Sequence, residues 1–121
     1  MKIIFSIIRR IRLVLFRHPI YKKITPINNQ IVRLGTDYGG WSFVNSPSLK
    51  NSTIIAAGMG EDISFEIDFS ASYNARVILI DPTPRSIKHY DLVIERIGKK
   101  KEIQYSSGGA QDPASYDLKS V

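Results

Sequence analysis

The first patterned stretch of the chain is helical. Ile3, Ile4, Ile7, Ile8, Ile11, Val14 and Leu15 recur at helical spacing and make one apolar face. Lys2, Ser6, Arg9, Arg10 and Arg17 fall opposite it, and Pro19 stops the run. The period then changes. Ile31 to Leu34 predicts a short strand, and Gly35 to Trp41 predicts a loop carrying Gly35, Gly39 and Gly40. Asn45 to Ser52 is rich in turn residues. Thr53-Ile54-Ile55-Ala56-Ala57 is an almost wholly apolar run, which predicts a strand covered on both faces, and Arg76-Val77-Ile78-Leu79-Ile80 predicts a second. Between them Asp62 is placed as an N-cap. Ile63, Phe65, Glu66, Ile67, Phe69 and Tyr73 then suit a helix with Asp68 and Ser72 outward and Asn74 as its stop. Thr83 followed by Pro84 starts another helix, with Ile87, Tyr90, Val93, Ile94 and Ile97 inward and Gly98 at its end. Glu102 to Ser106 predicts a third strand, broken by Gly108-Gly109, and the remaining tail is polar and weakly patterned.

These elements predict an α/β fold: a Rossmann-like parallel half-sheet, built β-α-β-α-β and preceded by an N-terminal basic amphipathic helix. Residues 1–24 form the helix and linker, and residues 25–121 form the partial Rossmann-like domain. In such sheets ligands bind at the carboxyl ends of the strands, where Gly58-Met59-Gly60 and Asp81 both fall.

Composition sharpens this picture in three ways. A chain of 121 residues allows one small domain. The absence of cysteine excludes disulfides, thiolate metal sites and a cysteine nucleophile. Residues 1–24 hold seven Lys and Arg and no acid, whereas the rest holds ten bases and eleven acids. The positive charge therefore belongs to the N-terminal segment, and nucleic-acid binding, which spreads basic charge over the folded body, is not expected. A 17-residue helix spans only roughly 25 Å, and arginines at its middle each cost about 2.5–3.5 kcal/mol to insert. Two roles stay open for it: lying in an anionic membrane surface through residues 1–17, or packing on its own domain. The expected location is the cytoplasm, with a peripheral membrane site as the variant.

Glycine lets a ligand approach the backbone at Gly58 and Gly60, and the helix after Asp62 offers unpaired N–H groups. A carboxylate at Asp81 suits the vicinal hydroxyls of a ribose. Together these fit a nucleoside-containing cofactor. A dinucleotide fingerprint wants a further glycine where Ile63 stands, and pyrophosphate disfavours the acids Glu61 and Asp62. This points away from NAD and toward S-adenosylmethionine. An NAD-type nucleotide-binding module is kept as an alternative, as is a non-catalytic membrane-surface or interaction protein built on a half-domain. His18 and His89 are the only histidines and lie far apart, so no metal site is expected. Trp41 is expected to pack beneath the glycine loop, and Asp112 is placed where adenine would lie. No catalytic base is apparent.

Gly39-Gly40-Trp41, Ala57-Gly58-Met59-Gly60-Glu61-Asp62-Ile63-Ser64-Phe65-Glu66 and Asp81-Pro82-Thr83-Pro84-Arg85 resemble the FkbM-type methyltransferases, in the branch related to methyltransferase-like protein 24. The resemblance runs from about Ile31 to Gly98. It implies a class I fold, S-adenosylmethionine as methyl donor and oxygen methylation of a small-molecule or sugar acceptor. It implies that Gly58, Met59, Gly60, Glu61 and Asp62 lie beside the methionine part of the cofactor. Asp81, with Pro82 and Thr83 beside it, would hold the ribose, and Tyr38, Gly39 and Gly40 would form a loop near the pocket. The acid common two residues before the first glycine is Ala56 here. The later strands of that fold are absent, so the chain reads as an N-terminal half, expected to be inactive or weak alone and to need its missing half or to self-associate.

Overall fold

The computed structural model describes residues 30–120. The helix predicted over residues 1–17, its linker and the boundary at residue 24 lie outside the described residues. Strands β1 (Ile31–Leu34) and β2 (Trp41–Val44) pair antiparallel, with Ile31 opposite Val44 and Leu34 opposite Trp41. Strands β3 (Thr53–Ala57) and β4 (Arg76–Ile80) pair in parallel, from Thr53 opposite Arg76 to Ala57 opposite Ile80. Helix α1 (Ser64–Tyr73) connects β3 to β4, and helix α2 (Pro84–Ile94) follows β4. The fold is mixed α/β with a small parallel sheet of two strands. Among the described residues no helix is long and apolar enough to cross a membrane.

Local chemistry sets the helix ends. Asn74 takes the left-handed conformation (φ 49°, ψ 43°) and its N–H closes on the Ser70 carbonyl, ending α1. Pro84 opens α2, where its missing N–H costs nothing, and the turn after Ile94 ends at Gly98 with φ 85°. Asp62 acts one step before its expected place. Ile63 is the N-cap of α1, while the Asp62 carboxylate accepts from the Ser64 N–H at 3.0 Å.

The core gathers Met59, Ile63, Ile67, Val93, Tyr116 and Leu118, with Leu79 and Tyr105 packed against it. A second apolar contact holds the hairpin to α1. Phe43 of β2 lies 5.4 Å from Phe69 and 5.9 Å from Phe65, and Phe69 lies 4.7 Å from Tyr73, a ladder of tilted and edge-on rings.

Four expectations are corrected. The sheet is not covered on both faces among the described residues: exposure alternates along β3 and β4, leaving Ile55, Ile78 and Ile80 open. Only one set of side chains, which includes Leu79, meets the core. The third strand is absent. The N–H groups of Glu102 and Ile103 both donate to the Ala114 carbonyl, and Ser106 N–H donates to the Gln111 side chain, so this segment folds onto the tail and not beside β4. A single parallel bridge from Glu61 to Ala110 stands in its place. The buried stripe of α2 is Ser86, His89 and Val93, with Ser86 bonded to the Thr83 hydroxyl and His89 to the buried Tyr116 hydroxyl, whereas Ile87, Tyr90, Ile94 and Ile97 are 41–50% exposed. Finally, the weakly patterned tail supplies Tyr116 and Leu118, the largest fully buried side chains.

Candidate functional site

The loop after β3 is shaped by two glycines with positive φ, Gly58 at 80° and Gly60 at 56°. Gly58 N–H donates to the Ile80 carbonyl at 2.9 Å, which continues the parallel pairing by one residue. Gly60 N–H donates to Asp81 Oδ2 at 2.9 Å. The other oxygen of Asp81 accepts from the Thr83 N–H at 3.0 Å and from the Thr83 hydroxyl at 2.8 Å, and Thr83 Oγ1 lies 2.7 Å from Ser86 Oγ. The Gly60 N–H, then the Thr83 N–H and the Ser86 and Thr83 hydroxyls, hold the Asp81 carboxyl well below the usual carboxylate range. Asp81 is thus the clamp between the ends of two parallel strands. At both glycines the position of a side chain is open space, so a ligand can meet bare backbone there.

A second clamp ties the earlier glycine loop to the start of α1. Thr36 Oγ1 donates to Asp62 Oδ2 at 2.6 Å and accepts from the Gly39 N–H at 2.8 Å. Thr36 N–H donates to Ser64 Oγ at 2.9 Å, and Gly35 N–H donates to Asp68 Oδ2 at 3.0 Å. Thr36, Asp62 and Ser64 are all buried. A side chain on Gly39 would strike the Asp62 carboxylate, and one on Gly40 would strike the backbone of Leu34 and Thr36. These glycines are needed for close approach of protein to protein.

Between the two loops lies a cavity of about 530 Å³, a volume suited to a small ligand. Tyr38, Gly39, Gly58, Met59, Gly60, Glu61 and Asp62 line it, as the sequence predicts for a shared site. Gly40, Asp81, Pro82 and Thr83 do not line it: Gly40 closes the hairpin turn, and Asp81 supports the glycine loop from behind. Trp41, Glu66, Arg85, Gly109 and Ala110 complete the lining. Trp41 is 67% exposed and forms a wall of this cavity, a correction to its expected place beneath the loop. Its position in an edge strand, opposite Leu34, turns the indole outward. Asp112 does not line this cavity; its side chain accepts from the Ala114 N–H at 2.8 Å and caps a short helical turn.

The charges around the cavity are mostly negative. Glu61 faces the exposed Arg85 guanidinium at 3.7 Å. Glu66, on the first turn of α1, is 9% exposed, and its Oε2 has no hydrogen-bond partner among the described residues. Burial pushes the Glu66 carboxyl above its ordinary value, opposed by a backbone hydrogen bond and reinforced by the nearby Asp62. The sequence carries a signal for this residue: an acid between Ile63 and Ile67 on a helix face otherwise apolar. Glu66 and Met59 also line a second, mainly apolar cavity of about 550 Å³ bounded by α1, α2 and β4.

Behind the site, the buried Tyr116 hydroxyl accepts from the Ile63 N–H at 3.1 Å and lies 3.0 Å from His89 Nε2. The hydroxyl thus engages a main-chain donor and the imidazole at once, joining the start of α1 to α2 inside the core. Burial favours the neutral form of both groups: it raises the Tyr116 hydroxyl and lowers His89, the latter against the pull of Glu61, Asp62 and Asp112.

No protein-family model matches the chain, and no curated protein or solved structure matches it.

Proposed function

We propose that this chain is the cofactor-binding half of an S-adenosylmethionine-dependent methyltransferase of FkbM type, built on a Rossmann-like sheet of which β3 and β4 are two strands. The observation that carries the reading is the loop Gly58-Met59-Gly60. It sits at the carboxyl end of the parallel pair, has open space at both glycines, and forms the wall of a cavity with Trp41 and three carboxylates. An aromatic face suits a purine, bare backbone suits close approach, and acidic walls suit a ligand with a positively charged end. When bound, S-adenosylmethionine would supply a methyl group: the acceptor oxygen would bond to the methyl carbon as its bond to the cationic sulfur breaks, leaving a neutral thioether and releasing the hydroxyl proton. Within this reading Gly58 and Gly60 meet the ligand with main chain, Asp81 fixes their conformation, and Trp41 shields one face from water. The acceptor is a small molecule or sugar, the open face at Ile55, Ile78 and Ile80 takes a covering layer, and further strands pair at the free edges of β3 and β4. A cytoplasmic site, with residues 1–17 touching an anionic membrane surface, completes the proposal.

The test is thermal unfolding of the chain with and without S-adenosylhomocysteine. Ligand at about 100 times its dissociation constant adds roughly 2.7 kcal/mol, a clear upward shift. Gly60→Val, which puts a branched side chain on a cavity-lining residue whose φ of 56° favours glycine, should abolish it. An equal shift in that variant would sink the site, no shift in the parent would sink the function, and a shift with NAD alone would replace the proposal by a dinucleotide module.

A further inference from the structure

Four carboxylates surround the glycine loop; two have both oxygens engaged within the protein, and a third has a long contact with an exposed arginine. Both oxygens of Asp81 accept from Gly60 and Thr83, both oxygens of Asp62 accept from Thr36 and Ser64, and Glu61 stands at the mouth facing Arg85. Glu66 differs from all of them. It is nine-tenths buried, it lines the cavity, and its Oε2 lacks any donor among the described residues. A buried carboxyl oxygen without a partner is costly, and the cost is relieved by a proton or by a cation brought in by a ligand. Because Glu66 also borders the apolar cavity through a wall shared with Met59, one side of it offers little competing solvation.

We infer that Glu66 is the specificity-determining residue of the cavity, pairing its carboxylate with the aliphatic ammonium group of the bound nucleoside ligand. The inference rests on the methyltransferase reading but assigns the ammonium contact to a residue on the first turn of α1, in place of the loop acids Glu61 and Asp62. Glu66 binds and orients; it takes no part in bond making.

Isothermal titration of the full chain with three probes tests this: S-adenosylhomocysteine, its analogue lacking the α-amino group, and 5′-methylthioadenosine. The parent should bind S-adenosylhomocysteine roughly tenfold or more tightly than either of the others, as a charge-assisted hydrogen bond implies. Glu66→Gln should erase that difference and leave 5′-methylthioadenosine unchanged, which also reports that the variant is folded. Retained preference in Glu66→Gln would overturn the inference and leave the methyltransferase reading standing. Equal binding of all three probes by the parent would overturn it without recourse to any variant. If the parent binds none of them, the cofactor reading itself falls and the inference with it.

Discussion

The Asp81 carboxylate grips the Gly60 backbone N–H at 2.9 Å, and through that one bond the end of β4 sets the shape of the loop that leaves β3. The remaining oxygen is held by Thr83 at the start of α2, so one side chain joins three segments. This explains why an acid at the edge of the sheet can belong to a site whose cavity it does not line.

The Asp81 clamp has a pH signature. Its folded carboxyl lies below its ordinary value of 3.8, so the native state favours the ionised form. The stabilisation is fully present above pH 3.8 and is lost as the pH falls below that value toward the lower folded one. Asp81→Asn should lower the melting temperature at neutral pH and flatten the acid limb of the stability curve. Unchanged melting across pH 3–7 in the variant would contradict the clamp.

The Tyr116 hydroxyl serves Ile63 and His89 together, both within the buried core. Tyr116→Phe leaves a buried N–H and an imidazole without their partner, at about 2 kcal/mol. His89 is lowered below its ordinary value of 6.5, chiefly by burial, so protons favour the unfolded chain. Stability should therefore be full above pH 6.5 and decline as the pH drops below it, and His89→Phe should remove that part of the slope. Urea titrations at several pH values measure both effects.

Two glycine substitutions should separate by mechanism. Gly58→Ala places a methyl group in open space, and its cost is the positive φ alone, roughly 1–2 kcal/mol. Gly39→Ala drives a methyl group into the Asp62 carboxylate and disturbs the Thr36–Asp62–Ser64 network. It should cost more than Gly58→Ala in chemical unfolding, even though Gly39 needs no unusual φ.

Much of the fold was legible because its signals were local. Apolar runs bounded by turn residues marked β3 and β4, Pro84 marked the start of α2, and Asn74 marked the end of α1. The same local logic failed where partners were distant. Glu102 to Ser106 alternates as a half-buried strand would, yet its donors are met by Ala114 and Gln111. Tyr116 and Leu118 are two apolar residues flanking an acid, too few to show a period, and only the fold reveals that they close the core. The glycine loop and its neighbours were readable as one site. Trp41 stands on the cavity wall and not beneath the loop, and nothing in the sequence says which side of a hairpin faces a cavity. Glu66 was visible as an inward acid, but its missing partner is a fact of three dimensions.

The hydrogen bond from Ile63 to Tyr116 spans 53 positions of the chain. Contacts of such separation form late, since loop closure must precede their reward. The β3–α1–β4 unit can organise from neighbouring residues as it emerges during synthesis, but its inner wall waits for Tyr116 and Leu118. The apolar cavity bounded by α1, α2 and β4, which Leu118 lines, is therefore among the last parts of the molecule to mature, and a chaperone or protease meeting the nascent chain would find that lining still uncovered.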